Sequence, residues 1–170
     1  MASFHYFLMR AGGLEWNQIL ASAATIQDRK SITLNIFAVA NSKKVLLDKN
    51  GATEDWKSHF DTQAIEGGVK EVIAFAKANH LANLIAIDNT ASTTFIENYI
   101  DLAKNGFDLV SSNKIANTIG FDFYQKLRRV LDENQKRYLY ETNVGAGLPL
   151  IDTIRLLHLS GDNITRIKGV

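Results

Sequence analysis

Residues 140–149 carry the clearest chemical signal, because two glycines stand two positions apart between a strand-like trio, residues 138–140, and a proline. Gly145 and Gly147 let the backbone approach a neighbour closely. Pro149 is pre-organised for the first turn of a helix. A strand, a glycine-rich turn and a helix N-terminus in this order leave carbonyl and N–H groups free to bind a ligand or an ion. The same glycines could also serve only the turn itself.

The elements that must position this turn follow from hydrophobic patterning. Short apolar runs predict buried strands at residues 4–9, 31–40, 84–87, 107–110 and 137–140. Helical periodicity and capping signals predict helices at residues 14–28, 69–79, 95–105, 121–134 and 149–160, with one helical turn at 56–60. Residues 41–51 are polar and basic and are predicted to be a loop. Alternating strands and helices predict an α/β fold that is Rossmann-like and doubly wound, a mostly parallel sheet with helices on both faces.

One pair of residues and one glycine set the expected ends of the helix in the middle of the chain. Thr94 and Glu97 have capping-box spacing, which predicts reciprocal side-chain bonds at the helix N-terminus. Gly106 stands where a glycine C-terminal cap belongs. Phe95, Tyr99 and Leu102 are expected to line the buried stripe between these ends.

The loops that follow the strands should meet at one edge of the sheet, where α/β sheets bind their ligands. These loops are polar or glycine-rich and cover residues 10–15, 41–44, 88–92, 111–114 and 141–148. None of them is specific alone. Together they predict one crevice.

Bulk composition excludes several classes of protein. The chain has 170 residues, is 46% hydrophobic and carries a net charge of +1, which suits one domain and gives no sign of a nucleic-acid or membrane partner. It has no cysteine, which rules out disulfides and thiolate metal sites and fits a cytoplasmic protein. No apolar run approaches the ~20 residues of a transmembrane helix.

Four segments make the chain similar to a known family. They are "VANSK" at Val39–Lys43, "IDNTAS" at Ile87–Ser92, "NKIAN" at Asn113–Asn117 and "YETNVGAGLPLI" at Tyr140–Ile151. From about Asn35 onward the chain resembles homoserine dehydrogenases, including those fused to aspartate kinases. The resemblance implies an NAD(P)-binding domain over residues 1–148, and over 149–170 the start of a linker helix and strand leading into a catalytic domain. The parent reaction interconverts homoserine and aspartate 4-semialdehyde with NAD(P)H, so the full-length partner would be a small amino acid.

The resemblance assigns roles to individual residues. Thr90 and Ser92 would lie along the cofactor near the nicotinamide, and Lys114 would be the candidate catalytic residue on the nicotinamide and substrate side. Further cofactor contacts would come from the phosphate turn and from the end of the second strand: Ala11, Gly12, Gly13, Ala40, Ser42 and Lys43. A lysine suits a 2′-phosphate, and no carboxylate ends that strand to bind a 2′-hydroxyl, so NADP is favoured over NAD.

A monovalent cation, Na⁺ or K⁺, is also implied by the resemblance. Its ligands would be the main-chain oxygens of Glu141, Val144, Ala146 and Leu148, a spacing that lets a loop wrap a hard cation. Simpler interpretations remain open: Lys114 as a surface lysine, Thr90 as a capping residue, and Ser42 with Lys43 as an ordinary loop. The resemblance leaves the oligomeric state open, with a homodimer among the options.

Two departures from the family pattern change the expected activity. The phosphate turn keeps only Gly12 of the glycine pattern, with Arg10 and Glu15 at the other two positions. A Glu15 carboxylate ~5 Å from a pyrophosphate would cost about 3 kcal/mol at an effective dielectric of about 20, which predicts weak or absent NAD(P)H binding.

The second departure is that family members continue past Val170 into a region bearing substrate-binding acids and a catalytic lysine. The family's usual proline and second lysine are also replaced, by Ser112 and Ile115. We therefore expect no turnover by this chain alone. The alternative is a non-catalytic Rossmann-like binding module with a degenerate phosphate turn, and a chance match to an unrelated α/β domain is a third.

Overall fold

The computed structural model of the chain describes residues 2–9 and 14–168, with the backbone alone at 14–16. Within these residues the strands are β1 (Ala2–Met9), β2 (Ile32–Ala40), β3 (Lys44–Leu47), β4 (Ile65–Glu66), β5 (Leu84–Asp88), β6 (Phe107–Ser111) and β7 (Tyr138–Leu139). The helices are α1 (Leu14–Lys30), α2 (Trp56–Gln63), α3 (Val69–Ala78), α4 (Tyr99–Lys104), α5 (Phe121–Glu133) and α6 (Leu150–Leu159).

The described strands form one sheet in the order β4-β3-β2-β1-β5-β6-β7. β2, β1, β5, β6 and β7 run parallel, while β3 and β4 add an antiparallel edge. The chain leaves β1 toward β2 on one side and later returns to place β5 on the other. This reversal of strand order beside β1 marks the topological switch point of a doubly wound sheet.

Two hydrophobic clusters cover opposite faces of the sheet, because successive side chains of a strand point to opposite sides. On β1, Phe7 and Met9 join the cluster that packs against α3, α4 and α5, whereas Leu8 joins the cluster on the α1 and α2 face. Trp56 of α2 is 4% exposed in that second cluster. The predicted α/β class with helices on both faces is confirmed.

The predicted loop at residues 41–51 is wrong in part, because Lys44–Leu47 forms β3. Asn41 Oδ1 accepts hydrogen bonds from the N–H groups of Lys43 and Lys44, both at 2.8 Å, and this turn folds β3 back on β2. Val45 and Leu46 are then buried, a burial that a three-residue apolar run in a lysine-rich segment did not indicate. The edge strand β4 was also not predicted.

The predicted capping box at Thr94 is wrong. Ser92 Oγ accepts the N–H of Phe95 at 3.1 Å instead, and Thr94 has no side-chain capping bond. A 3₁₀ turn, Phe95–Asn98, precedes α4. Gly106 does follow the last turn with a φ of +89°, as a glycine C-terminal cap requires. No helix among the described residues is long and apolar enough to cross a membrane.

Candidate cofactor and cation site

The carboxyl ends of four strands line up in one row. Met9 pairs with Ala40 on one side and with Asp88 on the other, and Asp88 pairs with Ser111. β7 ends beside them, since Val110 pairs with Leu139. The loops that follow β2, β5, β6 and β7 therefore leave the sheet at the same edge. The fifth predicted loop follows β1, and its Ala11, Gly12 and Gly13 lie outside the described residues, as does Arg10.

Asp88 is a buried carboxylate, 2% exposed, at the centre of this edge. Its Oδ2 accepts hydrogen bonds from the Tyr99 hydroxyl at 2.6 Å and from Asn113 Nδ2 at 3.1 Å. Its Oδ1 accepts the N–H of Thr90 at 2.8 Å. Three donors compensate for the lost hydration of the charge. Burial, followed by the negative charge of Asp88, raises the pKa of Tyr99 above its ordinary value.

Thr90, Ser92 and Lys114 are brought to the same part of the edge. Thr90 is half-buried, and its Oγ1 accepts the N–H of Ser92 at 3.1 Å, so this hydroxyl also has a local capping role. Ser92 O accepts a hydrogen bond from Asn113 Nδ2 at 3.0 Å, which links the two loops. Lys114 is exposed, with its Nζ 3.5 Å from the carbonyl of Ser112.

Ala40, Ser42 and Lys43 lie further along the edge, at the end of β2. Ala40 is buried within the sheet. Ser42 and Lys43 are exposed in the turn to β3, and the carbonyl of Lys43 accepts the N–H of Gly67 at 3.1 Å. Their side chains therefore reach solvent from a turn that is fixed at both ends.

Two consecutive residues of the loop after β7 have left-handed backbone conformations. Gly145 and Ala146 both have positive φ, +73° and +52°. The carbonyl of Glu141 accepts the N–H of Val144 at 3.3 Å and that of Leu148 accepts the N–H of Leu150 at 2.9 Å.

The other two predicted cation ligands, the carbonyls of Val144 and Ala146, accept no hydrogen bond among the described residues. Each carbonyl has two lone pairs, so all four oxygens retain at least one for a cation. No group of three or more His, Cys, Asp or Glu side chains in the described part of the chain is arranged to hold a metal ion.

The carboxylate of Glu141 has a role that the sequence did not indicate. Its Oε1 accepts the N–H of Ile151 at 2.9 Å and its Oε2 accepts the N–H of Asp152 at 3.0 Å. A carboxylate thus caps the N-terminus of α6 across ten residues of sequence, beyond the reach of any local capping motif. It ties the glycine-rich loop to the helix that follows it.

The sequence also did not indicate a role for Arg128, because α5 carries several charged residues and this arginine does not differ from them in sequence. Its guanidinium carbon lies 4.9 Å, 5.4 Å and 4.8 Å from the ring centroids of Tyr124, Tyr138 and Tyr140. Arg128, Tyr138 and Tyr140 border a cavity of about 350 Å³ that Asp152 and Arg155 also line. Contacts at this distance are cation–π interactions, and they pack α5 against β7.

A larger cleft of about 550 Å³ opens from the strand ends onto the α1 face of the sheet. Its floor is apolar, formed by Ile87, Val110 and Leu139. Its polar rim consists of loop residues: Asn89, Ser112, Glu141 and Thr142. An apolar floor with a few polar groups at the rim and a volume of this size is typical of small-molecule sites. Lys114 and Thr90 stand beside this rim and do not line the cleft.

The chain resembles known proteins in sequence and in fold. Residues 13–141 match the family model described as the homoserine dehydrogenase NAD-binding domain. A bifunctional aspartokinase/homoserine dehydrogenase from Buchnera aphidicola is 39% identical over 99% of this chain and 21% of its own length. The chain spans about a fifth of the curated relatives that it matches.

Among solved structures, the homoserine dehydrogenase of Thermoplasma acidophilum superposes with a TM-score of 0.66 at 17% identity, over 93% of this chain and 49% of the other. A hyperthermophilic archaeal homoserine dehydrogenase mutant in complex with NADPH gives a TM-score of 0.65 at 20% identity, over 93% and 50%. At these identities the two structures show a shared fold. Together with the sequence match over most of its length, they place this chain in the family of homoserine dehydrogenase NAD-binding domains.

Proposed function

We propose that this chain is the nucleotide-binding part of an NADP-dependent homoserine dehydrogenase, which interconverts homoserine and aspartate 4-semialdehyde. The observation that carries the proposal is the single row of strand ends, Ala40, Met9, Asp88 and Ser111, from which the polar loops leave the sheet together. A dinucleotide lies across such an edge at the topological switch point. Family membership supports the reaction class.

The end of β2 would hold the adenosine ribose of the cofactor. Ser42 and Lys43 are exposed there, while the carboxamide oxygen of Asn41 is already engaged by the turn. A hydroxyl and an ammonium group suit a 2′-phosphate, and the turn offers no carboxylate for a 2′-hydroxyl. NADP is therefore the preferred cofactor in this proposal.

Thr90, Ser92 and Lys114 would surround the nicotinamide end. The bound cofactor would supply the hydride chemistry, and the chain's own residues would orient the ring and the substrate. The exposed ammonium of Lys114 is free to hold an oxygen of a small amino-acid substrate. The chain spans about a fifth of the length of its curated relatives, and we propose that the residues that move the proton belong to the rest of such a protein.

The loop after β7 would bind Na⁺ or K⁺ through the carbonyls of Glu141, Val144, Ala146 and Leu148. The two unengaged carbonyls and the two consecutive positive φ values support this assignment. A cation here would stiffen the junction between the sheet and α6. Residues 149–170 are then the start of the link to the catalytic domain. A cytoplasmic location also belongs to the proposal and is compatible with the cysteine-free composition.

The altered phosphate turn gives the sharpest test of dinucleotide binding. Replacing Glu15 with glutamine removes a negative charge while nearly preserving size, and NADPH affinity should rise by up to about a hundredfold if the carboxylate faces the pyrophosphate. Nicotinamide fluorescence during titration of the chain measures this. Asp28→Asn, an exposed acid near the far end of α1, is the matched control.

Two results would contradict the proposal in different ways. Equal gains in both variants would mean that only net charge matters. No saturable NADPH binding by the chain or by either variant would favour the alternative of a binding module that lost its dinucleotide. Homoserine-dependent reduction of NADP⁺ by a protein that includes the region beyond Val170 then tests the reaction itself.

A further inference from the structure

Thr90 with Ser92, Lys114 and the predicted cation carbonyls lie on the three loops after β5, β6 and β7, and a buried side chain stands between these loops. Asn113 is 2% exposed, while the next residue, Lys114, is exposed to solvent. A buried carboxamide is costly unless its donors and acceptor are used. Each of them is used in this structure.

The Asn113 side chain joins the loop after β6 to the loop after β5. Its Nδ2 donates to Asp88 Oδ2 at 3.1 Å and to Ser92 O at 3.0 Å. Its Oδ1 accepts the N–H of Ile115 at 3.1 Å, which fixes its own loop. This planar amide therefore uses both of its N–H donors and its oxygen acceptor, and two of the three bonds cross to β5 and the loop that follows it.

The main chain of Asn113 joins the same loop to the loop after β7, which carries the predicted cation ligands. Its carbonyl accepts a hydrogen bond from Asn143 Nδ2 at 3.2 Å. Asn143 lies in the 3₁₀ turn Glu141–Asn143, and its Oδ1 is buried without a partner among the described residues. The bond to Asn113 therefore ties this turn to the loop after β6.

The rest of the cluster anchors these loops to the core. Tyr99 is 1% exposed on α4, and its hydroxyl lies 2.6 Å from Asp88 Oδ2 and 2.8 Å from Ser111 Oγ. Ser111 Oγ accepts the N–H of Asn113 at 2.9 Å. The tyrosine ring packs edge-on against Phe95 and Tyr138, which holds the cluster in place from below.

We propose that Asn113 is a positioning residue that holds the three loops after β5, β6 and β7 as one preformed unit, with Asp88 and Asn143 as its partners on either side. The proposal rests on the proposed function for its meaning, because the groups being positioned are Thr90, Lys114 and the cation carbonyls. It adds an element that acts without touching any ligand.

An isosteric substitution tests the side-chain tie. Asn113→Asp keeps the acceptor for Ile115 but replaces the donor to Asp88 and Ser92 with an oxygen, which puts two carboxylates in contact. Native-state hydrogen exchange should then accelerate roughly ten- to hundred-fold at residues 90–92 as well as at 115–117, the range expected for losing a bond to a buried charge. The matched control is Asn134→Asp, which removes a donor to the carbonyl of Val130 at the far end of α5.

Asn143→Ala tests the second tie and serves if Asn113→Asp fails to fold. It should accelerate exchange at the hydrogen-bonded amides of residues 143–144 and 148 and of residues 115 and 117 together, while those of residues 90 and 92 stay protected. Acceleration confined to the mutated loop in either variant would overturn the proposal. The proposal would also be overturned if Asn134→Asp accelerated exchange in the loop after β5 as much as Asn113→Asp does.

NADPH affinity separates positioning from plain stability. Under conditions in which both aspartate variants are folded, Asn113→Asp should weaken NADPH binding about tenfold or more and Asn134→Asp should not. Unchanged affinity in a variant with mobile loops would overturn the positioning role. Hydrogen exchange is measured without cofactor. If the chain binds no NADPH, the proposed function is wrong, and the exchange result still tests the positioning role of Asn113.

Discussion

The carboxylate of Glu141 should decide whether α6 is formed. Its two oxygens accept the N–H groups of Ile151 and Asp152 at 2.9 Å and 3.0 Å. α6 contributes no buried residue, and Leu156 and Leu159 are each more than 60% exposed. Tertiary packing therefore stabilises this helix little, and its cap carries an unusual share of its stability.

The cost of removing the cap follows from these contacts. Glu141→Gln keeps one acceptor, turns the other into an NH₂ group that faces an N–H donor, and removes the negative charge from the helix N-terminus. An N-terminal cap is worth about 1 kcal/mol and a charge at the helix dipole about 0.3–1 kcal/mol. A loss of about 1–2 kcal/mol confined to α6 should accelerate its opening roughly five- to thirty-fold.

Hydrogen exchange at residues 154–160 measures this opening directly. The matched control is Asp152→Asn, which removes an exposed negative charge from the first turn of the same helix and leaves both capping bonds in place. The control should show the smaller, dipole part of the effect. Equal acceleration in the two variants, or an unchanged urea midpoint and unchanged exchange in Glu141→Gln, would show that the two capping bonds of Glu141 do not stabilise α6.

Two further predictions concern the buried hydroxyl and the exposed ammonium. Tyr99→Phe removes the donor 2.6 Å from Asp88 and should cost roughly 1.5–3 kcal/mol in urea denaturation at neutral pH. Burial raises the pKa of Tyr99 above its ordinary value of 10.0, so the folded state stays neutral while the unfolded tyrosine ionises. The contribution of Tyr99 to stability should be constant below about pH 10 and should be lost as the pH rises above it, so the alkaline loss of stability should be less steep in Tyr99→Phe. Identical alkaline slopes would contradict this. Lys43→Ala should weaken NADPH binding about three- to fivefold, because an exposed charge pair is worth at most about 1 kcal/mol, and should leave NADH binding unaffected. Lys49→Ala is the control. Equal losses of affinity for both nucleotides in Lys43→Ala would contradict a 2′-phosphate contact.

The parallel part of the fold was readable from the sequence because its strands are buried on both faces. Val39 and Ala40 are almost fully buried, as are Phe7 and Leu8, and such strands appear as continuous apolar runs. The positions of the polar loops followed from that pattern. β3 was not predicted because only two of its residues, Val45 and Leu46, are buried, and their burial depends on a turn built by Asn41.

The polar cluster was not readable, for a different physical reason. Tyr99 was assigned correctly to a buried helix stripe, but its hydroxyl partner Asp88 lies on another element. Asn113 was recognised as part of a motif, yet nothing in the sequence states that its amide is buried beneath the loop that displays Lys114. The cap that Glu141 makes on α6 likewise depends on how a loop folds in space. Long-range hydrogen bonds leave no local pattern.

We infer that the loops after β2, β5, β6 and β7 form one rim that binds a dinucleotide. The most direct test is titration of the isotopically labelled chain with NADPH, up to millimolar concentration, while backbone amide chemical shifts are recorded. We expect saturable shifts at residues 41–43, 89–92, 112–114 and 141–147. Saturable shifts confined to the opposite edge of the sheet, near Ser31, Asn83 and Arg137, or no saturable shift in either the chain or its Glu15→Gln variant, would contradict dinucleotide binding at this rim.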